Sequence, residues 1–355
     1  MTVLPVLSQR QLNRALLARQ HLLKRSRGSI EKVLEDVAGL QTQYAPAGYI
    51  GLWSRMERFE RPMLTTALEE RRVIQATLMR ATIHMVSAAD YWPIEIAVRQ
   101  PRREWWLRVA RSKIERIDVA ALRAAIVEEL EGGPVRQKEL VDRLRARGFP
   151  ITYTSIYLLA DVVRVPPSGT WERRRADLYG LAEAWLPPPD PPPSEAEAAV
   201  HLVRRYLGGF GPSAVAEIGD FAGLPAVTVR AALDELRPRR LRDEAGRELV
   251  DLPRAPLPDA GTPAPPRFLA VWDATLLVHA RRTQILPEEF RARVFNTKTP
   301  HSVNTFLLDG QVAGAWRSDK GKLSLEPFRT LTRAERAGLD DEAHRLEKLH
   351  ADRDD

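Results

Sequence analysis

Cysteine is absent from all 355 residues. Disulfides, thiolate zinc sites, iron–sulfur clusters and cysteine nucleophiles are thereby excluded. The seven histidines are scattered and none forms a His-x-x-x-His pair enclosing a carboxylate, so nothing nominates a metal site. Neither a metal nor a cofactor is expected. Long apolar runs are missing as well: none approaches the roughly 18 residues of a membrane span. The start, MTVLPVLSQRQLNRALLARQHLLKR, has no basic segment ahead of an apolar core, so no secretory signal is expected. A cytoplasmic protein without a membrane partner is the expectation. Lysine is scarce too, at eight of the 54 basic residues.

What remains is a soluble composition with a basic balance. The net charge is +7 and the pI about 9.8, which suits a polyanionic partner. An arginine bias of this kind also follows from a GC-rich genome, so the placement of the charge says more than its total. The length suits two or three domains.

A pattern of helix, turn, helix, helix and strand pair occurs three times. In the first copy Leu7, Leu12, Leu16 and Leu23 recur at helical spacing, RSRGS breaks the run, and Ser29 is the N-cap expected for a helix over IEKVLEDVAGLQ. A third helix follows Pro46, and RRVIQATLMRATIHMVSAADYW alternates as two strands meeting near Arg80 and Ala81. The second copy runs from DVAALRAAIVEEL to a wing in TWERRRADLYGL. The third starts after the proline hinge LPPPDPPPS, residues 186–194, and ends in RRLRDEAGRELVDL. Three such units in one chain argue for a tandem array better than one would. The expected fold is mainly α with β wings (α+β): winged helix-turn-helix units over 1–117, 118–190 and 191–255, then a β-rich region over 256–355. There FLAVWDATLLVHA, NTFLLDGQVAGAW and RSDKGKLSLEPF read as strands, with LDG as a hairpin turn. The charged terminal helix reads as a solvated face.

The stretch AGLQTQYAP, residues 38–46, places Gln41 and Gln43 two apart. In a continuous helix they would point about 200° apart and could not act on one atom. On extended or turn backbone they project to the same side. Gly39 and Pro46 imply that the helix is ending, so both amides can converge at its C-terminal edge. From spacing alone, two solvent-exposed amides at a helix end are the favoured reading.

AGLQTQYAPAGYIGLWSRM followed by LMRATIHMVSAADYW resembles the AlkZ/YcaQ group of winged-helix DNA glycosylases. VWDATLLVHARRTQILPEEFRARVF and FLLDGQVAGAW are similar to that group's C-terminal region, so the likeness runs from the first helix to about residue 330. The resemblance implies that Gln41 and Gln43 fall on the family's catalytic Gln-hydrophobic-Gln motif. Threonine stands where the family has an aliphatic spacer. The aspartate of the YcaQ branch is absent, which places the chain nearer the AlkZ branch. It further implies a monofunctional glycosylase for cationic N7-alkylguanine, including crosslinks, acting on double-stranded DNA as a monomer. Thr82, His84 and Val86 alternate onto one face of a strand resembling the family's RGTLH segment, which makes Thr82 and His84 pocket candidates.

Other basic residues have weaker claims. Arg80, at the strand turn, is a candidate DNA contact. Arg173, Arg174 and Arg175 sit in the second wing, where phosphate contacts are common. Lys298 and His301 lie in the loop NTKTPHS, residues 296–302. The run over residues 98–116 interleaves Trp105 and Trp106 with seven basic residues, and reads best as an amphipathic helix packing both tryptophans between domains. Alternatives to the enzyme are a winged-helix transcription regulator, which would need a self-associating helix, and a non-catalytic binder of damaged DNA.

Overall fold

The structure is a computed structural model and describes residues 4–111, 117–149, 151–276, 280, 282–295 and 302–351. The chain opens with β1 (Val6–Leu7) and α1 (Gln9–Arg19). A capping box starts α1: the Ser8 hydroxyl accepts from Gln11 N–H, and the Gln11 side-chain carbonyl accepts from Ser8 N–H. Helix α2 (Ile30–Asp36) begins at Ser29 as expected, with the hydroxyl accepting from Lys32 N–H.

Helix α2 stops at Asp36 and does not run on to Gln41. Ala38 and Gly39 take left-handed backbone, at φ 60° and 78°, which swings the chain into β2 (Leu40–Gln41). A Cβ on Gly39 would lie 2.9 Å from Val86 Cγ1, so this turn needs glycine. Helix α3 (Ala45–Arg55) and a helix that the sequence pattern did not suggest, α4 (Arg61–Glu69), come next. The hairpin β3 (Val73–Thr77) and β4 (Ile83–Ser87) then turns through Arg80 and Ala81 as expected.

The long α5 (Ala88–Val109) leads to the second repeat: α6 (Val119–Glu131), β5 (Val135–Arg136), α7 (Gln137–Ala146), α8 (Tyr153–Leu159), β6 (Val162–Arg164) and β7 (Leu178–Leu181). Only one of the two tryptophans of α5 packs inside: Trp106 is buried, whereas Trp105 is 47% exposed. The first two wings are fused. Gln75 and Ala76 of β3 pair with Arg164 and Val163 of β6, giving one sheet ordered β2-β4-β3-β6-β7-β5 across the expected boundary at residue 117.

After the short α9 (Ala182–Trp185), the third repeat comprises α10 (Glu195–Phe210), α11 (Val215–Ala222), α12 (Ala226–Leu236), β8 (Arg239–Asp243) and β9 (Glu248–Asp251). Strand β1 adds to it as the parallel partner of β8. The chain start is clamped there by a buried ion pair, Arg19 Nη1 to Asp251 Oδ1 at 2.6 Å.

In the C-terminal region β10 (Arg267–Leu269), α13 (Arg291–Val294), β11 (Thr305–Leu308), β12 (Gln311–Asp319) and β13 (Lys322–Pro327) precede α14 (Arg333–Ala351). The four strands form an antiparallel meander with turns at Asp309–Gly310 and Lys320–Gly321. Among the described residues of FLAVWDATLLVHA only the first two are strand, and Ala270–Leu276 bend away in turns. The terminal helix is more than a solvated face. Leu339, Ala343, Leu346 and Leu349 form a buried stripe against the sheet, each leucine contributing about 1.5–3 kcal/mol.

The two faces of the fused sheet meet different partners, and this positions the site. Ile74, Ala76 and Val86 pack with Ile218, Phe221 and Leu224 of the third repeat. Leu40, Val73 and Met85 pack with α3 and with Phe268 and Phe306 of the C-terminal sheet. Among the described residues no helix is long and apolar enough to cross a membrane.

Candidate active site

Gln41 lies on β2 opposite His84 of β4, and Leu40 lies opposite Met85. The pairing continues through Thr42 N–H, which donates to Ile83 O at 2.8 Å. Alternation along this extended segment places Gln41 and Gln43 on the side of His84, and Leu40 and Thr42 on the other. Thr42 is fully buried there, and its Oγ1 accepts from Gln75 Nε2 at 3.2 Å. The hydroxyl that departs from an aliphatic spacer is therefore satisfied, at no unpaired-polar cost.

Both amides are oriented by neighbours that can only donate. Gln41, 7% exposed, accepts at Oε1 from Arg80 Nη2 at 2.8 Å. Gln43, exposed, accepts at Oε1 from Ile83 N–H at 3.0 Å. A guanidinium and a backbone N–H have no acceptor, so in each amide it is the carbonyl oxygen, not the NH2, that meets this donor. Every Oε1 keeps a second lone pair for another donor.

Arg80, expected as a DNA contact, spends its guanidinium inside the protein. Its backbone is left-handed (φ 54°), its Nη1 donates to Phe221 O at 3.0 Å, and its guanidinium lies 4.8 Å from the Phe221 ring centre. Burial lowers its pKa to about 10, with Arg282 acting in the same direction, so it remains a cation at neutral pH. It acts as a clamp joining the first wing to α11 and to Gln41.

His84 is sealed. Its Nδ1 lies 3.0 Å from Thr82 O, which fixes the Nδ1–H tautomer and leaves Nε2 as a bare acceptor with no partner among the described residues. Burial, and then the charge of Arg80, push its pKa down to about 3. It is a neutral ring on the face of Gln41, unsuited to serve as a general acid near pH 7. Thr82 donates from Oγ1 to Met79 O at 3.0 Å. Among the described residues no group of three or more His, Asp or Glu side chains could hold a metal ion.

Beside this cluster runs a cleft of about 750 Å³ between the β3–β4 loop, α5 and the α11–α12 turn. Arg80 and the exposed Trp105 line it, and neither glutamine does. Arg173, Arg174 and Arg175 are exposed on the β6–β7 loop, as expected of a wing. Arg174 reaches back to the site, its Nη1 donating to the Tyr44 hydroxyl at 2.9 Å, one residue beyond Gln43. Arg175 pairs with Asp177 at 3.1 Å. Lys298 and His301 lie outside the described residues. The fold thus brings Gln41, Gln43, Arg80, Thr82 and His84 together and adds Tyr44 and Phe221. Tyr44 could have been found by its adjacency to the motif, whereas Phe221 lies in another repeat and carries no sequence signal.

The family model "DNA glycosylase AlkZ-like" matches residues 34–349. Among solved structures, Streptomyces sahachiroi DNA glycosylase AlkZ is similar in fold: the TM-score is 0.81 at 18% identity, covering 98% of this chain and 97% of that one. No curated protein matches the chain in sequence.

Proposed function

The chain belongs to the AlkZ-like family of DNA glycosylases, and we propose that it hydrolyses the N-glycosidic bond of cationic N7-alkylguanine, with Gln41 and Gln43 as the catalytic pair. The observation that carries this reading is the fixed orientation of two neutral amides on one side of β2, each held by a donor-only neighbour and each with a lone pair to spare. Alkylation at N7 makes the base a cation and hence a good leaving group. The C1′–N9 bond breaks with both electrons going to the base, which departs neutral. The sugar is left as an oxocarbenium-like cation, to which water adds, losing its proton to solvent.

In this scheme the two Oε1 atoms accept hydrogen bonds from the water and turn their negative ends toward the sugar cation. Their NH2 groups can in turn bind a phosphate or a base edge. An amide near pH 7 cannot take a full proton, so the lesion must supply the activation. N7-linked crosslinks bring the same activation and are substrates on the same ground. The protein acts as a monomer on double-stranded DNA, and Arg173, Arg174 and Arg175 contact its phosphates.

The test is incubation with duplexes carrying N7-methylguanine, an N7-linked crosslink or uracil. Release of the two cationic adducts, leaving an intact alkali-labile abasic site, is expected. Robust uracil release, or a borohydride-trapped protein–DNA adduct, would overturn the mechanism.

A further inference from the structure

A second concave site lies on the far side of Tyr44. A pocket of about 430 Å³ forms where the start of α3, the β6–β7 loop, the β12–β13 turn and the end of α14 converge. Three of its lining residues are cations, Arg61, Arg174 and Lys320, and among the described residues no carboxylate lines it.

Arg61 is the informative residue. It is 7% exposed, its Nε is sealed without a hydrogen-bond partner, and no described residue forms an ion pair with it. Its one contact of note is the face of Trp171, 5.0 Å from the ring centre. A buried guanidinium without an anion is costly. Arg174 spends two donors on neutral oxygens, Nη1 on the Tyr44 hydroxyl at 2.9 Å and Nε on Trp171 O at 3.3 Å, and its charge, like that of Lys320, meets no carboxylate among the described residues. Arg174 stacks over Trp171 and Tyr44 at 5.8 and 5.9 Å. Asn304 commits its Oδ1 to Val271 N–H at 2.9 Å, which turns its NH2 away as a donor. No side chain caps the amino end of α3, where Tyr44 and Pro46 line the pocket, so the positive end of that helix dipole is open. The pocket's field is also registered by His350, whose pKa falls to about 4 through burial and then the charges of Arg174 and Arg61. Glu347, the one carboxylate acting against that shift, is engaged by Leu323 N–H and Lys322.

We infer that this pocket seats one backbone phosphate of the substrate DNA strand, gripped by Arg61, Arg174 and Lys320 and walled by Trp171. The assignment rests on duplex DNA being the substrate. Three cations without a carboxylate match a phosphodiester, and the guanidinium forks suit its oxygens. Arg174 joins the pocket to Tyr44, the residue after Gln43, so a phosphate held here registers the strand relative to the glutamines.

A methylphosphonate scan tests this. The duplex carries one 2′-fluoro-N7-methylguanine, whose glycosidic bond resists hydrolysis, and each nearby phosphate is replaced in turn by an uncharged methylphosphonate. Dissociation constants are measured for the wild type, Arg61→Gln, Arg174→Gln and Lys320→Gln. At one position the neutral linkage should weaken wild-type binding about tenfold, yet weaken the variants far less. Each variant should also lower the salt slope by about one. Equal losses in wild type and variants at every position would overturn the assignment. Lys320 is exposed on a hairpin turn, so its variant keeps the test decisive if Arg61→Gln does not fold. Tryptophan fluorescence during titration with inorganic phosphate separates the sources. A saturable change that duplex DNA does not displace would assign the pocket to a free phosphate and refute the strand reading. None of these measurements reads excision, so failure of the N7 chemistry and failure of the phosphate seat are distinguishable.

Discussion

Two hairpin loops of one fused sheet have opposite character. Between β3 and β4 the polar groups turn inward: Arg80 is taken by Gln41 and Phe221, and Thr82 by the Met79 carbonyl. Between β6 and β7 three successive arginines are exposed, and of these Arg174 alone reaches back, to the Tyr44 hydroxyl. Arg173 has no side-chain partner among the described residues, and Arg175 is 80% exposed beside Asp177. A loop bonded into place needs no rearrangement when charge develops beside it. Solvated cations such as Arg173 and Arg175 instead exchange counterions for phosphates, which supplies affinity but little geometry. The molecule divides the two tasks between neighbouring hairpins.

The largest effect should come from the bonded side. Gln41→Ala and Gln43→Ala should each lower base release by about 10²-fold or more with unchanged circular dichroism. Full activity in the double variant would move catalysis away from this loop altogether. Arg80→Ala should be felt twice. Loss of its bonds to Gln41 and Phe221 should cost about 2–3 kcal/mol of stability. Excision should fall about tenfold because the Gln41 amide can then rotate. Denaturant melts beside single-turnover rates separate the two effects, and an unchanged rate would show that Gln41 does not need its clamp.

Acid should weaken the bonded side selectively. His84 is held neutral with a pKa of about 3, against 6.5 in an unfolded chain. As pH falls below 6.5 the unfolded chain takes up a proton that the folded one refuses. Stability from this site is therefore fully present above about 6.5 and is lost on acidification toward about 3. Between pH 7 and 5 the loss should be about 2 kcal/mol. Burial of His350 acts in the same direction through its own pKa of about 4. His84→Gln should flatten the pH dependence, and an unaltered curve would count against a sealed ring. The smallest effect belongs to the solvated loop: replacing Arg173, Arg174 and Arg175 by alanine should weaken duplex binding about tenfold at moderate salt and flatten the salt slope. A slope equal to that of the wild type would mean that DNA passes elsewhere.

Local signals were readable in the sequence where one residue enforces one geometry. Ser29 marked the start of α2, the glycine of LDG marked a hairpin, and the alternation around Arg80 marked β3 and β4. The same-side projection of Gln41 and Gln43 followed from period-two backbone, although the helix ends earlier than its apolar pattern implied. Ala38, at φ 60°, gives no compositional warning of that. Contacts between distant segments were not readable. Nothing near Gln75 announces Arg164 as its cross-strand partner, and nothing near Arg80 announces Phe221. The stripe of Leu339, Leu346 and Leu349 was present at helical spacing but was outweighed by the charges between.

The clasp of β1 on β8 has a consequence for synthesis on the ribosome. Arg19 and Asp251 are 232 residues apart, so at about 5–20 residues per second the first helix waits roughly 10–50 s for the carboxylate that neutralises its buried guanidinium. During that interval β1 is an unpaired edge and α1 an amphipathic segment without its partner, both open to chaperones. A nascent chain arrested before Asp251 should therefore show protease-sensitive cleavage within its first twenty residues, even where the second repeat has already become resistant.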